Sequence, residues 1–110
     1  MVDVAKSRIK EATLDAVFSQ VIRERDDFTC RICHINYRHD TGFLDCSHIV
    51  ARRRRSVRWD LDDAIALCRT CHNDLDAKPL DHMALAQEIL GERFDSLRER
   101  ARGLKMTESD

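Results

Sequence analysis

Two Cys-x-x-Cys pairs, Cys30-Arg-Ile-Cys33 and Cys68-Arg-Thr-Cys71, constrain this chain more than any other feature. Each pair can set two thiolates on one side of a tight knuckle. Two knuckles together make the closed four-sulfur tetrahedron that structural zinc prefers. A filled shell leaves no open position for a substrate, and its binding energy becomes folding energy. Competing readings of the pairs explain less. No βαβ pattern surrounds Cys30 and Cys33, as a thioredoxin-like redox pair would require. Cys68-Arg-Thr-Cys71-His72 matches the c-type haem attachment motif, but that leaves the first pair unexplained, so no haem is expected. The fifth cysteine, Cys46, reads as a buried, inert thiol.

The composition makes such a staple useful. In 110 residues, 35% are charged, 43% apolar and only 5% aromatic, with three glycines and one proline. That describes one soluble, helix-leaning domain whose core would be thin without a metal. A formal net charge of -1 gives no global attraction to nucleic acid, so any basic surface must be local. The first ten residues carry no continuous apolar stretch, which argues against a signal peptide, and nothing approaches a membrane span. An odd number of cysteines argues against a disulfide framework. A cytoplasmic location with no membrane partner is the expectation.

Residues 9–25 carry Leu14, Val17, Phe18, Val21 and Ile22 on an i, i+3, i+4 stripe, predicting an amphipathic helix with one buried face. Residues 28–77 form the cysteine-bearing core. Within it Gly42 to Val50 reads as a short strand, and Ala51 to Asp60 as a loop or a second strand. Leu61 to Leu67 reads as a helix start leading into the second knuckle. His72 to Ala77 looks helical and Pro79 ends it. Asp81 would cap a further helix carrying Met83, Ala86, Ile89 and Leu90. Gly91 breaks that helix, and a last one with Phe94 and Leu97 stops near Gly103. Thus helices cover 81–103, and 104–110 is a frayed tail.

Between the knuckles lie the residues with chemistry. His48 follows the strand and precedes Arg52, Arg53, Arg54, Arg55 and Arg58. An imidazole there can serve as a general base toward water attacking a phosphodiester, or can simply pack beside the zinc site. The guanidiniums suit bidentate contacts to a phosphate backbone, which position a duplex without reading its sequence. His72 can join the cage in place of Cys71, or point away and hold a second, catalytic ion with an open coordination sphere. His34, His39 and His82 read as surface residues.

Taken together, Cys30-x-x-Cys33, Cys46-Ser47-His48-Ile49 and the run from Arg58-Trp59-Asp60 to Cys71-His72 resemble the HNH endonuclease family. The nearest likeness is to its zinc-ribbon branch, which includes phage endonuclease VII and NinG-type phage recombination proteins. The resemblance spans about Phe28 to Leu75. It implies an α+β, mainly helical fold: a small ββα-metal core with a four-cysteine zinc ribbon, packed by N- and C-terminal helices, with residues 1–110 forming a single HNH nuclease domain. It implies DNA as partner and metal-dependent hydrolysis of DNA phosphodiester bonds, with structural Zn2+ and catalytic Mg2+ or Mn2+. His48 matches the general base and His72 a ligand of the catalytic ion. Asp63 stands where the family's middle asparagine braces the base-bearing loop. Ser47 occupies a position that is often an Asp or His ligand, and Asp45 is the nearby carboxylate. Cleavage of both strands would favour a homodimer. The alternative is a non-catalytic zinc-ribbon module that binds DNA or protein through a degenerate site.

Overall fold

The computed structural model describes the backbone of residues 4–50 and 54–109, and side chains of residues 11–50 and 54–102. Its described elements are four helices and a two-stranded antiparallel sheet, so the fold is α+β and mainly helical. Helix α1 covers Val4–Arg25. A 3-10 turn at Thr41–Phe43 leads into β1, Leu44–His48. A second 3-10 turn at Leu61–Asp63 leads into β2, Ala64–Cys68. Helices α2 (Arg69–Asp76), α3 (Pro79–Leu90) and α4 (Arg93–Ser109) follow. No helix among the described residues is long and apolar enough to cross a membrane.

The pairing of β1 with β2 runs from Leu44 opposite Cys68 to His48 opposite Ala64. All five residues of β2 are buried. This corrects the expected helix start over 61–67. Only Leu61–Asp63 turns helically, and Ala64-Ile-Ala-Leu-Cys is a strand. A short apolar run without polar alternation is what a strand covered on both faces looks like, and periodicity alone cannot tell it from a helix. The strand expected within 42–50 is present as β1. The segment 54–60 is a series of turns rather than a strand, and it buries Val57 completely.

Three small cores surround the sheet. One joins Cys30, Leu44, Leu67 and Leu75 around the knuckles. Val57, Ala86, Leu90, Phe94 and Leu97 form a second beneath α3 and α4. Phe18 and Ile22 of α1 meet Ala64 in the third. Only part of the α1 stripe is therefore buried. Leu14, Val17 and Val21 are 45%, 54% and 41% exposed, while Phe18 is 6% and Ile22 0% exposed. The helix is turned so that its polar residues Asp15, Ser19 and Arg23 share the inward face with Phe18 and Ile22.

Helix boundaries differ from the expected ones for local reasons. Helix α1 begins at Val4 rather than near Ile9. Pro79 opens α3 instead of closing the previous helix; α2 ends at Asp76, and Lys78, not Asp81, is the N-cap. A proline at the first helical position loses no hydrogen bond, since that N–H has no intrahelical partner. Gly91, at φ +57°, does interrupt the chain between α3 and α4. Helix α4 continues past Gly103 to Ser109, through the stretch expected to fray.

Asp26 couples α1 to the sheet. Its carboxylate accepts the Ala66 N–H at 2.9 Å and pairs with Arg25 at 2.9 Å and Arg31 at 3.1 Å. Burial alone would raise its pKa, but the two guanidiniums and the Ala66 N–H outweigh burial and hold it below the usual carboxylate value.

Candidate metal centre and active-site cleft

The four cysteines of the two pairs converge. The Sγ atoms of Cys30, Cys33, Cys68 and Cys71 all lie within 4.8 Å of one another, with Cys33 and Cys68 at 3.9 Å. A tetrahedron with Zn–S bonds of about 2.3 Å has sulfurs about 3.8 Å apart, so this group could hold a metal ion such as zinc. The knuckles are shaped for thiolates. Cys30 Sγ accepts the N–H groups of Ile32 at 3.4 Å and Cys33 at 3.5 Å, and Cys68 Sγ accepts that of Cys71 at 3.5 Å. His34 at φ +63° turns the chain back, and its N–H reaches the Cys30 carbonyl at 3.0 Å. Burial raises the Cys30 pKa, but the backbone N–H donors overcome it and bring the thiol to about 7. Burial and the neighbouring thiols push Cys71 upward. Four such sulfurs cannot all ionise side by side without a cation between them.

Cys68 has a second role as N-cap of α2, which places His72 in the first turn of that helix. His72 does not join the cage. It lines a cleft of about 280 Å³ bounded by three elements. Strand β1 contributes Asp45, Cys46 and His48; α2 contributes His72; and α1 contributes Asp15, Ser19 and Arg23. Asp45 Oδ2 lies 3.0 Å from His72 Nδ1, so a carboxylate and an imidazole, both ligands for a divalent cation, converge on this cleft. Arg69 also reaches Asp45, at 3.0 and 3.3 Å, and donates to the Gly42 carbonyl at 2.9 Å. The guanidinium and His72 draw the Asp45 pKa below its usual value despite burial, which acts to raise it. His72 Nε2 is 3.7 Å from Asp76, one turn along α2.

His48 is held in a defined tautomer. Its Nε2 sits 2.9 Å from the Arg58 carbonyl oxygen, which can only accept, so Nε2 carries the proton of the neutral ring and Nδ1 carries the lone pair. The ring stacks on Phe18 at 5.5 Å between centroids and 28° between planes. The carbonyl partner is itself secured. Asp15 accepts from Arg58 Nε at 3.0 Å and from Trp59 Nε1 at 2.9 Å.

Asp63 braces the backbone beyond His48. Its carbonyl accepts the Ile49 N–H and its Oδ1 accepts the Val50 N–H, both at 2.7 Å. The residue is fully buried, and its Oδ2 has no partner among the described residues. Burial lifts its pKa to about 8.

Other residues singled out in the sequence fall elsewhere. Ser47 is 1% exposed, its hydroxyl is unpartnered among the described residues, and it does not line the cleft. Arg52 and Arg53 lie outside the described residues. Arg55 pairs with Glu11 and lies over Trp59, and Arg58 pairs with Asp15, so both tie the turn segment to α1. Arg54 is exposed. Cys46 is half-buried, and burial pushes its thiol up to about 11, as suits an inert cysteine. His34 and His39 are exposed as expected, but His82 is half-buried beside Ile49 and Met83, and burial lowers its pKa. The sequence of α1 carries no recognisable chemical motif, yet three cleft residues come from it. Their only signal is the polar trio Asp15, Ser19 and Arg23 repeating at four-residue intervals.

Comparison with known proteins returned no matching family model, no similar curated protein and no similar solved structure.

Proposed function

We propose that this protein is a metal-dependent endonuclease of the HNH type that hydrolyses DNA phosphodiester bonds. The observation that carries the reading is the meeting of His48, Asp45 and His72 in one cleft while Asp63 pins the backbone just beyond His48. On this reading β1, β2 and α2 are the ββα core, and the four cysteines are its structural zinc site. None of the four cage cysteines lines the cleft, so folding and chemistry use separate sets of residues.

Asp45 and His72 fit a hard divalent ion such as Mg2+ or Mn2+. Such ions take one or two protein ligands and leave positions for water and phosphate oxygen. When bound, the ion supplies charge neutralisation at the scissile phosphate and the leaving 3′ oxygen. His48 Nδ1, held as the acceptor nitrogen by the Arg58 carbonyl, takes the proton of the attacking water. Phe18 stacked on the ring limits its rotation, and Asp63 keeps the Ile49–Val50 backbone from drifting. Ser47 has no part in this scheme.

One observation favours the alternative of a non-catalytic zinc-ribbon binding module: Arg69 already pairs with Asp45. A plasmid-nicking assay separates the two. Zinc-loaded wild type should nick DNA with added Mg2+ or Mn2+, stop when that ion is withheld, and lose activity on His48→Ala while still binding DNA. Folded, zinc-loaded wild type that nicks no DNA with any divalent ion would overturn the nuclease reading.

A further inference from the structure

We propose that Arg23 of α1 is the residue that binds the substrate phosphate in the His48–His72 cleft, an assignment that rests on the nuclease reading. The arginine run after His48 is the obvious source of such charge, but Arg55 and Arg58 are occupied by Glu11 and Asp15. Charge balance within the cleft points to α1 instead. Asp15 is neutralised by Arg58, with Trp59 as a further donor. Asp45 is neutralised by Arg69 and contacted by His72. Arg23 has only neutral partners among the described residues, the Ser19 hydroxyl at 2.6 Å and the Gln20 side-chain carbonyl at 3.3 Å. The charge left unbalanced on the cleft wall is therefore a guanidinium.

The placement of that guanidinium suits an oxyanion. Arg23 is half-buried, and its Nε is buried beyond the reach of a ligand, so any contact to a phosphate runs through its two Nη groups. Its head is oriented by Ser19 and Gln20, one turn back on the same helix. A planar fork held in this way can meet two phosphate oxygens at once, and in a partly dry cleft its attraction exceeds that of a surface arginine. Helix α1 cannot slide relative to the base, because Phe18 stacks on His48 and Asp26 binds Ala66. Arg23 is thus fixed against the same frame as His48. A basic surface run would bind DNA anywhere along its backbone; Arg23 can engage only a phosphate that has entered the cleft.

The test uses the full chain with Arg23→Gln and Arg23→Lys, each checked for zinc content and helical circular dichroism. Binding of a fluorescein-labelled duplex is followed by anisotropy across a salt series without added Mg2+ or Mn2+, in the zinc-loaded His48→Ala background. Nicking is measured in parallel in the wild-type background. Arg23→Gln is expected to lower the slope of log affinity against log salt by about 0.9, one phosphate contact. It should slow nicking by about 100-fold or more. Arg23→Lys should keep the salt slope and lose about tenfold in nicking, since a point charge replaces the fork. An Arg23→Gln protein with wild-type slope and nicking overturns the assignment and leaves the nuclease reading intact. A reduced slope with no nicking even by wild type supports the phosphate contact and sinks the nuclease reading instead. Should Arg23→Gln lose its zinc, Arg23→Lys decides alone, and undiminished nicking by it overturns the fork.

Discussion

Asp63 accepts the Val50 N–H through Oδ1 at 2.7 Å while its Oδ2 is buried with no partner among the described residues. One half of the carboxyl braces the loop after His48, and the other half gains nothing from being ionised. An asparagine at this place would offer the same acceptor without a titrating group.

The Asp63→Asn variant should therefore gain stability relative to wild type as pH rises through neutrality, because it has no buried carboxyl to keep protonated. The sign follows from linkage. A carboxyl with folded pKa raised to about 8 stabilises the fold fully only below its unfolded value near 3.8, and that stability is lost as pH rises toward 8. Urea unfolding from pH 5 to 9 should show wild type losing stability over this window and Asp63→Asn losing less. Parallel curves would mean that Asp63 does not titrate there. Asp63→Ala, which also deletes the Val50 contact, should be the less stable replacement.

Asp26 predicts the opposite pH dependence. Its folded pKa is depressed, so its contribution is present above the unfolded value and lost as pH falls through the folded one. Asp26→Ala should cost about 1–3 kcal/mol at pH 7, since it leaves the Ala66 N–H of β2 unpaired. The penalty should shrink in acid. Thermal unfolding of both proteins at pH 7 and pH 3 measures it.

Removal of metal from the cysteine cage should cost the fold far more than any single side chain. The knuckles hold the start of the core to β2 and α2, and structural zinc in small domains contributes about 10–16 kcal/mol to folding. A strong chelator, or Cys68→Ser, should abolish cooperative unfolding in calorimetry and reduce helical circular dichroism. Cys68→Ser removes the thiolate while its hydroxyl can still accept the Cys71 N–H as the α2 cap, so its effect reports on the metal rather than on the cap. Cys46→Ser should leave metal content at the wild-type value.

On the nuclease reading, Arg69 competes with the divalent ion for Asp45. The arginine side chain is 55% exposed, so solvent screens the pair and it opposes an ion only weakly. Arg69→Ala should accordingly lower the divalent-ion concentration for half-maximal nicking about two- to fivefold, whereas Asp45→Ala should raise it. Identical ion titrations for Arg69→Ala and wild type would show that the pair does not oppose ion binding. His72→Ala should raise the half-maximal ion concentration further than Asp45→Ala does.

Cysteine spacing alone is enough to determine the four-sulfur cage, because Cys-x-x-Cys is a local geometry: residues three apart cap one knuckle through their own backbone N–H groups. The strand before His48 and the break at Gly91 are legible for the same local reason. The second strand is not, since Ala64-Ile-Ala-Leu-Cys has no alternation to read, and only its burial by both α1 and the knuckle core decides its form. The α1 stripe fails at Leu14, Val17 and Val21 because helix rotation is set by partners rather than by hydrophobicity: Asp15 with Arg58 and Trp59, and Phe18 with His48. Those contacts span more than forty residues of chain in the first case, and no periodicity encodes them. The same long-range pairing spends Arg55 and Arg58 on α1 and leaves Arg23 in the cleft. Sequence thus determined which cysteines gather into the cage, and tertiary structure alone decided which charges remain unbalanced in the cleft.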